Sequence, residues 1–443
     1  MNKTLFLILI CFFNIIVANA QDVCIEEDIS IRENPDISVD SCTSAQLAKI
    51  DYDYIKIDKN NIIYNGADWR QFYDQLNNAD FDTISIVHIG DSHLQADIAT
   101  GYTRNLLQHD YGSAGRGLVI PFKMAKTNEP RDYAITSLCR WNATKAIKQR
   151  SDSEMGFTGI SISPISKDFD LTISTLSRTT TEPFSNVRLY HSGTINIDSI
   201  ITANNNDSTT YNYYDRYIDI NLGHATTEVT LKMNRTTQVS IFGAVLSNSN
   251  SGIIYHTIGN NGATYDTYNR IGHIGKDIAS LKPSLVILSL GANEAFGRIS
   301  TVAFQQTIHT MVQNVREDNP QAQILLVTPM ECHKRRYIRR KGRRRRRGYI
   351  VNEKILTLRN EILRYGKENN IAVYDWYDIA GGKGAANLWL NDKLMSRDHI
   401  HNTATCYKIQ GQLLYEELTK VINSHKTQAS RNGTNSTMAD NNI

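Results

Sequence analysis

The chain of 443 residues is 41% hydrophobic and 21% charged, which suits a soluble globular protein and leaves room for one large domain or two ordinary ones. Its formal net charge of +3 includes eleven positive charges in residues 334–347, so the remaining residues carry a net charge of −8. This distribution excludes a protein that is basic over a whole face and places the positive charge in one segment.

The first twenty residues have the composition of a secretory signal peptide. Lys3 is followed by the apolar stretch "TLFLILICFFNIIV" and by "ANA", a small-x-small exit that predicts cleavage after Ala20. A membrane anchor is the alternative, but the apolar stretch is short. No lipobox precedes Cys24, and no later run is long enough to span a bilayer. We therefore expect an exported protein, periplasmic or extracellular, with no membrane anchor after cleavage.

Six cysteines are present, and Cys11 is removed with the signal peptide. The five that remain are an odd number, so an oxidising compartment would leave at least one free thiol or an intermolecular pair. Cys24 and Cys42 are close enough in sequence to form a disulfide, but their spacing does not decide the pairing. The sequence has no Cys-x-x-Cys pair that would indicate a zinc site.

The first half of the chain changes character twice. Residues 21–65 are polar and predict an N-terminal extension, and residues 66–125 predict the first part of an α/β domain. Within that part, "DTISIVHIG" (82–90) predicts a buried strand, and residues 96–112 predict a helix because apolar residues recur at spacings near four. Residues 126–250 contain short, alternating segments separated by Asn, Gly, Ser and Thr, which predicts an antiparallel β-sandwich.

The α/β pattern resumes in residues 251–423, where four predicted strands alternate with helices: "IIYHTIG", "SLVILSLG", "QILLVTP" and "IAVYDW". This alternation predicts a parallel sheet covered on both faces. The expected fold is therefore a doubly wound, flavodoxin-like α/β sheet with an all-β sandwich inserted after its first unit. Residues 424–443 are polar and predict a disordered tail.

Polar residues with catalytic chemistry follow the ends of these strands, where doubly wound sheets gather their functional groups. Ser92 can act as a nucleophile if a base lies within hydrogen-bonding reach, and His401 can be that base. Asp398 can hold the imidazole tautomer and stabilise the imidazolium. The backbone N–H groups of Ser92 and Gly262 and the amide of Asn293 can stabilise an oxyanion.

Each signal also has a structural interpretation. Ser92 and Gln95 are spaced as a helix capping box, and "GANE" fits an ordinary turn. "DHIH" fits a metal pair of His399 with His401, or a helix start capped by Asp398. The conjunction of three signals at strand ends with an Asp/His pair after the last strand favours catalysis over these alternatives.

The ordered set of motifs resembles the SGNH, or GDSL-like, hydrolase superfamily. "GDSH" matches its first block with Ser92 as nucleophile, and "NNGAT" matches the second with Gly262 as an oxyanion donor. "GANE" matches the third, in which Asn293 is the other donor. "DHIH" matches the Asp-x-x-His block and implies that Asp398 and His401 complete the triad.

The resemblance covers about 66–125 and 251–423 and departs from the pattern at Glu294, where the superfamily usually has Asp. It implies a serine esterase that uses no metal and no cofactor. A narrower resemblance, carried by "GDSHLQAD", "YGSAGRGLVIP" and "HTIGNNGATY" around a β insert, is to bacterial peptidoglycan O-acetylesterases. In these enzymes the insert is similar to a carbohydrate-binding module.

This narrower resemblance implies an exported esterase that removes acetyl groups from the C6 hydroxyl of N-acetylmuramic acid through an acyl-enzyme on Ser92. One alternative is an acetylesterase for another polysaccharide or a small acyl ester. A second is a catalytically silent glycan-binding protein, against which the intact set of site residues argues.

The basic segment 334–347 follows a strand end and therefore borders the expected active site. A solvated, mobile loop is the favoured interpretation for most of its charges. A clamp on an anionic glycan is a second interpretation, because peptidoglycan carries carboxylates. Nucleic-acid binding is disfavoured, since the charge lies in one segment and no nucleic-acid-binding fold is visible.

Overall fold

The computed structural model describes residues 47, 49–148, 154–176, 182–203, 208–338 and 346–439. The predicted signal peptide lies outside these residues, as do Cys24 and Cys42, so cleavage and cysteine pairing remain predictions. Cys139, Cys332 and Cys406 are free thiols. Among the described residues, no helix combines the length and apolar composition that crossing a membrane requires.

Both ends of the chain contain strands and helices, and the middle consists of strands with one 3-10 turn at Ala146–Lys148. The strands are β1 (Ile62–Ile63), β2 (Thr83–Gly90), β3 (Gly117–Val119), β4 (Tyr133–Thr136), β5 (Trp141–Lys145), β6 (Ile160–Pro164), β7 (Asp168–Thr175), β8 (Phe184–Ser192), β9 (Ile195–Thr202), β10 (Thr210–Tyr213), β11 (Tyr217–Thr226), β12 (Glu228–Arg235), β13 (Ser240–Ser247), β14 (Gly252–Gly259), β15 (Pro283–Ser289), β16 (Gln323–Val327), β17 (His333–Ile338), β18 (Arg346–Val351) and β19 (Ala372–Tyr374). The α-helices are α1 (Arg70–Asn77), α2 (Ser92–Gln95), α3 (Ile98–Tyr111), α4 (Tyr265–Asn269), α5 (Ile274–Ala279), α6 (Thr301–Asp318), α7 (Lys354–Glu368), α8 (Trp376–Ile379), α9 (Ala385–Asn391) and α10 (Ala404–Ala439).

A six-stranded sheet in the order β1-β19-β16-β15-β2-β14 forms the centre of the α/β part. The strands from β19 to β14 are parallel, and β1 pairs antiparallel to β19 at the edge. Seven of the eight residues of β2 are buried, because a parallel strand in this sheet is covered on both faces. The prediction of a mixed α/β fold with a parallel sheet is confirmed.

Helices cover the two faces of this sheet with separate hydrophobic clusters. One cluster packs α4, α5, α6 and α7 against the sheet, through residues such as Phe304 and Ile362. The other packs α1, α3, α8, α9 and α10, through residues such as Trp389 and Leu413. The predicted site residues follow the carboxyl ends of the parallel strands of this sheet.

The central part of the chain forms two antiparallel sheets. One has the order β10-β11-β8-β13-β6-β5 with β3 paired to β13, and the other has the order β4-β7-β12-β9. Strand β7 alternates between buried and less buried residues, as a sheet with one face on a core requires. Apolar side chains from both sheets share one cluster, which includes Leu189, Leu231 and Ile241. The antiparallel sheet already includes residues 117–119, which precede the predicted insert of residues 126–250.

The structure adds regular elements to three segments predicted to be irregular. The predicted extension 21–65 contributes the edge strand β1, in which Ile62 is buried. The basic segment 334–347 contributes to the antiparallel strands β17 and β18, because His333, Tyr349 and Val351 flank its charges with strand-forming residues. Helix α10 continues to Ala439, into the predicted tail 424–443, and no proline interrupts it.

Two glycines allow helix α2 to pack directly on the ends of β2 and β14. Gly90 and Gly259 are register partners in the two strands. A Cβ atom on Gly259 would lie 2.4 Å from the backbone nitrogen of Gln95, and one on Gly90 would lie 2.5 Å from a methyl carbon of Leu94. The first of these contacts is with backbone, so it cannot be relieved by a rotamer change.

We predict that Gly259→Ala lowers the free energy of unfolding by about 1–3 kcal/mol, because the added methyl group overpacks a backbone contact. Gly272→Ala is the matched control, since a Cβ at Gly272 meets no atom within 4 Å. Urea unfolding of both variants measures the difference. Equal stability of Gly259→Ala and the wild type would show that α2 can move away from the strand without cost.

Candidate active site

Ser92 is the first residue of α2 and follows the end of β2 by two residues. The Asp91 carboxylate caps this helix by accepting a hydrogen bond of 3.0 Å from the backbone N–H of His93. The alternative interpretation of Ser92 and Gln95 as a capping box is therefore wrong, because Asp91 is the N-cap and the helix begins at Ser92, one residue earlier than that pattern requires. The Ser92 hydroxyl instead lies 2.8 Å from Nε2 of His401.

His401 and Asp398 lie in a tight loop, residues 396–401, that we call the Asp398 loop. A bridge between Met395 and Asn402 closes it, and the Ser396 N–H donates to the His401 carbonyl over 2.7 Å. The Asp398 carboxylate accepts from the His401 ring at Nδ1 over 2.7 Å. Ser92, His401 and Asp398 thus form a continuous hydrogen-bonded chain across 309 residues of sequence.

The Asp398 carboxylate is held in its ionised form. Its second oxygen accepts from the backbone N–H groups of Ile400 and His401 at 2.9 and 3.0 Å. Burial by itself would raise the pKa of Asp398, but the hydrogen bonds and the His401 ring outweigh it and lower the pKa to about 2. A negative charge therefore faces Nδ1 of His401, which leaves Nε2 as the acceptor for the serine proton.

Two of the three predicted oxyanion donors, Gly262 and Asn293, lie together beside the third, Ser92, at the start of α2. Gly262 has a φ of +78°, which favours glycine, and a Cβ there would meet no atom within 4 Å, so its side of the turn is open. The Asn293 amide nitrogen donates to the Ala263 carbonyl over 2.9 Å and lies 3.3 Å from Asp91 Oδ2. Asn293 is thus fixed between the Gly262 turn and the residue before Ser92.

Two buried carboxyl groups surround Asn293. Burial raises the pKa of Asp91 to about 6 and that of Glu294 to about 7. Glu294 accepts from the Tyr265 N–H over 2.8 Å, and its other oxygen has no hydrogen-bond partner among the described residues. Having Glu rather than Asp at position 294 therefore directs the carboxyl group to the start of α4 and leaves the Asn293 amide in place.

Gln95 is a site residue that the sequence reasoning assigned only to helix capping. Its side-chain oxygen accepts from the Asn261 N–H over 2.7 Å, next to Gly262. Its amide nitrogen donates to the Thr127 hydroxyl and the Asn128 carbonyl at 2.8 and 2.7 Å. Gln95 thereby ties α2 to the Gly262 turn, and its place one helical turn after Ser92 is the only sequence signal for this role.

The sequence also did not indicate that His93 is a neighbour of His401, the predicted base. The centres of the His93 and His401 rings lie 5.2 Å apart, and the Tyr407 hydroxyl lies 3.1 Å from His93 Nδ1. Burial, and secondarily the charge of His401, lower the pKa of His93 to about 3. His93 is therefore a neutral ring against His401 and does not compete with it for a proton.

His399 lies apart from the triad contacts although it is inside the Asp398 loop. Its ring stacks on Tyr349 with centres 3.7 Å apart, and it faces His333 edge to face at 5.2 Å. The described residues contain no group of three or more His, Cys, Asp or Glu side chains arranged to hold a metal ion. The expectation of catalysis without a metal remains a prediction.

Residues 207–409 match the model of the GDSL-like Lipase/Acylhydrolase family. The matched range includes Gly262, Asn293, Asp398 and His401, and Ser92 precedes it. No curated protein matches the sequence of this chain.

Solved structures with a similar fold include one described as "Peptidoglycan O-acetylesterase in action", with a TM-score of 0.67 and 21% identity over 82% of this chain and 99% of that one. A lipase/acylhydrolase from Enterococcus faecalis (20% identity, TM-score 0.28) covers 38% of this chain and 77% of its own. A GDSL-like lipase from Bacteroides thetaiotaomicron (21% identity, TM-score 0.29) covers 38% and 76%. The first likeness extends over nearly the whole length of the similar structure and establishes the fold.

The low pKa of Asp398 leads to a prediction about how the stability of the folded protein depends on pH. A carboxylate whose pKa is lowered on folding stabilises the protein above the unfolded value of about 3.9, and this stabilisation is lost as the pH falls through about 2. We predict that Asp398→Asn lowers the free energy of unfolding at pH 7 by roughly 2 kcal/mol. The difference from the wild type should shrink as the pH falls from about 4 towards 2.

Denaturant unfolding at a series of pH values measures this difference. Asp74→Asn, on the exposed surface of α1, is the matched control and should follow the wild type at every pH. A difference for Asp398→Asn that is constant from pH 7 to pH 2 would contradict the assignment of Asp398 as a carboxylate stabilised by its hydrogen bonds.

Proposed function

We propose that this chain, a serine ester hydrolase with a GDSL-like lipase/acylhydrolase domain, removes O-acetyl groups from peptidoglycan, at the C6 hydroxyl of N-acetylmuramic acid. The observation that carries the proposal is the hydrogen-bonded chain from Ser92 through His401 to Asp398. The protein acts after export, in the periplasm or outside the cell, on a polysaccharide rather than a nucleic acid.

In the first half of the reaction, His401 Nε2 takes the hydroxyl proton of Ser92 while the oxygen attacks the acetyl carbonyl. Asp398 holds the Nδ1–H tautomer and stabilises the imidazolium that forms. The tetrahedral oxyanion accepts hydrogen bonds from the backbone N–H groups of Ser92 and Gly262 and from the Asn293 amide. As this intermediate collapses, the bond between the acetyl carbon and the sugar oxygen breaks, and His401 passes its proton to that oxygen, which leaves as the C6 hydroxyl.

The second half releases acetate from Ser92. His401, again neutral, takes a proton from a water molecule that attacks the acetyl-serine carbonyl. The same donors stabilise the second tetrahedral intermediate, and its collapse returns the proton to the Ser92 oxygen. His93 supports both halves as a neutral ring beside His401, because a second positive charge there would oppose formation of the imidazolium.

The choice of peptidoglycan rests on the full-length likeness in fold to a structure described as a peptidoglycan O-acetylesterase. The predicted signal peptide supports it, because the cell wall is reached only after export. Peptidoglycan also contains the anionic groups that the basic segment 334–347 would attract.

We further propose that the antiparallel sheets are an inserted carbohydrate-binding domain. The edge strand β10 and the turn after it carry three exposed aromatic residues, Tyr211, Tyr213 and Tyr214, which are 41%, 48% and 49% exposed. The rings of Tyr211 and Tyr213 lie 5.6 Å apart at an interplanar angle of 80°. Exposed tyrosines present flat apolar faces with a polar tip, which suits stacking against the C–H face of a sugar ring.

We predict that Ser92→Ala and His401→Ala each reduce the turnover of 4-nitrophenyl acetate, and acetate release from O-acetylated peptidoglycan, by several orders of magnitude. Asp398→Asn should reduce both by less. The variants should keep the wild-type circular dichroism spectrum, because the exchanged side chains contact each other rather than the hydrophobic clusters.

Near-normal turnover of an acetyl ester by Ser92→Ala would refute the site. A second outcome is that the wild type hydrolyses 4-nitrophenyl acetate and releases acetate from acetylated xylan but not from peptidoglycan. That result would support esterase activity but assign it to another polysaccharide.

For the inserted domain, we predict that Tyr211→Ala combined with Tyr214→Ala weakens co-sedimentation with insoluble peptidoglycan and leaves the turnover of 4-nitrophenyl acetate unchanged. The reason is that the two rings are exposed and lie on β10 and the turn after it rather than at the Ser92 site. Phe81→Ala removes an aromatic ring that is 83% exposed elsewhere on the surface and is the matched control. Equal binding by all three proteins would exclude these tyrosines as a glycan surface.

A further inference from the structure

Strands β17 and β18 form a hairpin whose base lies against the Asp398 loop. His333 is the first residue of β17 and pairs with Val351, the last residue of β18. Tyr349 precedes Val351 by two residues, so its side chain lies on the same face of the hairpin as that of His333. This face contacts the loop, because both rings lie against His399.

The hairpin holds His399 through three contacts. The His399 ring stacks on the Tyr349 ring with centres 3.7 Å apart and an interplanar angle of 7°. The His333 ring lies nearly perpendicular to it, at 83°, with centres 5.2 Å apart. The backbone N–H of His333 also donates to the His399 carbonyl over 2.9 Å. The hairpin therefore contacts both the side chain and the backbone of His399.

His399 has a backbone conformation that benefits from such support. Its φ of +65° is uncommon for a residue other than glycine and is less favourable for a residue with a side chain. Its N–H donates to the Ser396 carbonyl over 3.0 Å within the loop. Because His399 follows Asp398 and precedes His401 by two residues, a change in its backbone would displace the triad carboxylate and imidazole relative to Ser92.

The base of the hairpin is itself anchored to the α/β part of the chain. His333 is 5% exposed, and its Nε2 lies 3.2 Å from Oδ1 of Asn387 in α9. Asn352, directly after β18, donates from its side chain to the Ala295 carbonyl over 3.2 Å. Ala295 follows Asn293, the predicted oxyanion donor, by two residues. The hairpin base is therefore a fixed support for the loop that packs on it.

We propose that Tyr349 is a positioning residue for the catalytic base: its stacked ring holds the Asp398 loop in the conformation that keeps His401 within reach of Ser92. Tyr349 acts through His399 and not on the substrate. The inference rests on the proposed roles of Ser92 and His401, and it applies to any acetyl ester, because the polymer takes no part in it. The Tyr349 side chain is partly exposed, so its removal opens no buried cavity.

The experiment measures the turnover of 4-nitrophenyl acetate by three variants. We expect Tyr349→Ala to lower kcat about two- to tenfold, the range that loss of one aromatic pair allows. KM should stay unchanged, because His401 acts in both half-reactions and its displacement slows acylation and deacylation alike. Tyr349→Phe retains the stacked ring and should keep the wild-type kcat. Ile350→Ala, the next residue and on the other face of the hairpin, is the matched control and should also keep it.

A second measurement tests whether the effect passes through His399. Tyr349→Ala and His399→Ala remove the two sides of one stack, so the double variant should turn over no more slowly than His399→Ala alone. Rates are measured at a temperature at which circular dichroism shows every variant to be folded. Under that condition, a contribution of the ring to stability alone leaves kcat unchanged.

The other outcomes overturn the inference. These are an unchanged kcat for Tyr349→Ala, an equal fall in kcat for Ile350→Ala, and a rise in KM without a fall in kcat. Losses that multiply in the double variant would show that Tyr349 acts on something other than His399. In all these cases the proposed function stands if Ser92→Ala still abolishes turnover, whereas turnover by Ser92→Ala would refute the proposed function itself.

Discussion

The close packing of the Ser92 helix on the ends of two parallel strands is the constraint on which the rest of the site depends. Glycine at both strand ends lets the helix backbone approach within contact distance, so the nucleophile has a fixed height above the sheet. Gln95, on the same helix, then fixes the Gly262 turn through Asn261. Nucleophile and oxyanion donor are therefore positioned by one short helix.

The base reaches this helix from the other end of the chain, and its position depends on the Asp398 loop. Backbone N–H groups and the His401 ring surround the Asp398 carboxylate, which keeps its pKa low. Burial lowers the pKa of His93, whose ring lies beside the His401 ring. The site thus has one firmly ionised acidic group facing His401 and one neutral ring beside it, an arrangement that favours a proton moving from Ser92 to His401.

The sequence was sufficient to predict the parallel strands and the polar residues that follow them. A buried parallel strand is largely apolar, and glycine and polar residues mark its end. It was insufficient where a contact between distant segments decides the structure. Gln95 forms its hydrogen bonds with residues 127, 128 and 261, which no local pattern relates to it. The arginine-rich segment has the composition of a solvated loop, and only pairing with "GYIV" reveals a hairpin.

A buried charge network joins the antiparallel sheets to the α/β part of the chain, which they interrupt. Arg116, just before β3, is 3% exposed and donates to Asp97 at the start of α3 and to Asp132 just before β4. Asp97 also accepts from the hydroxyl of Thr257 in β14. Breaking one partner of a buried ion pair costs about 3–5 kcal/mol, so the two regions are joined by more than their chain crossings. The antiparallel sheets are therefore held against the α/β part by buried charges, as a flexibly tethered module would not be.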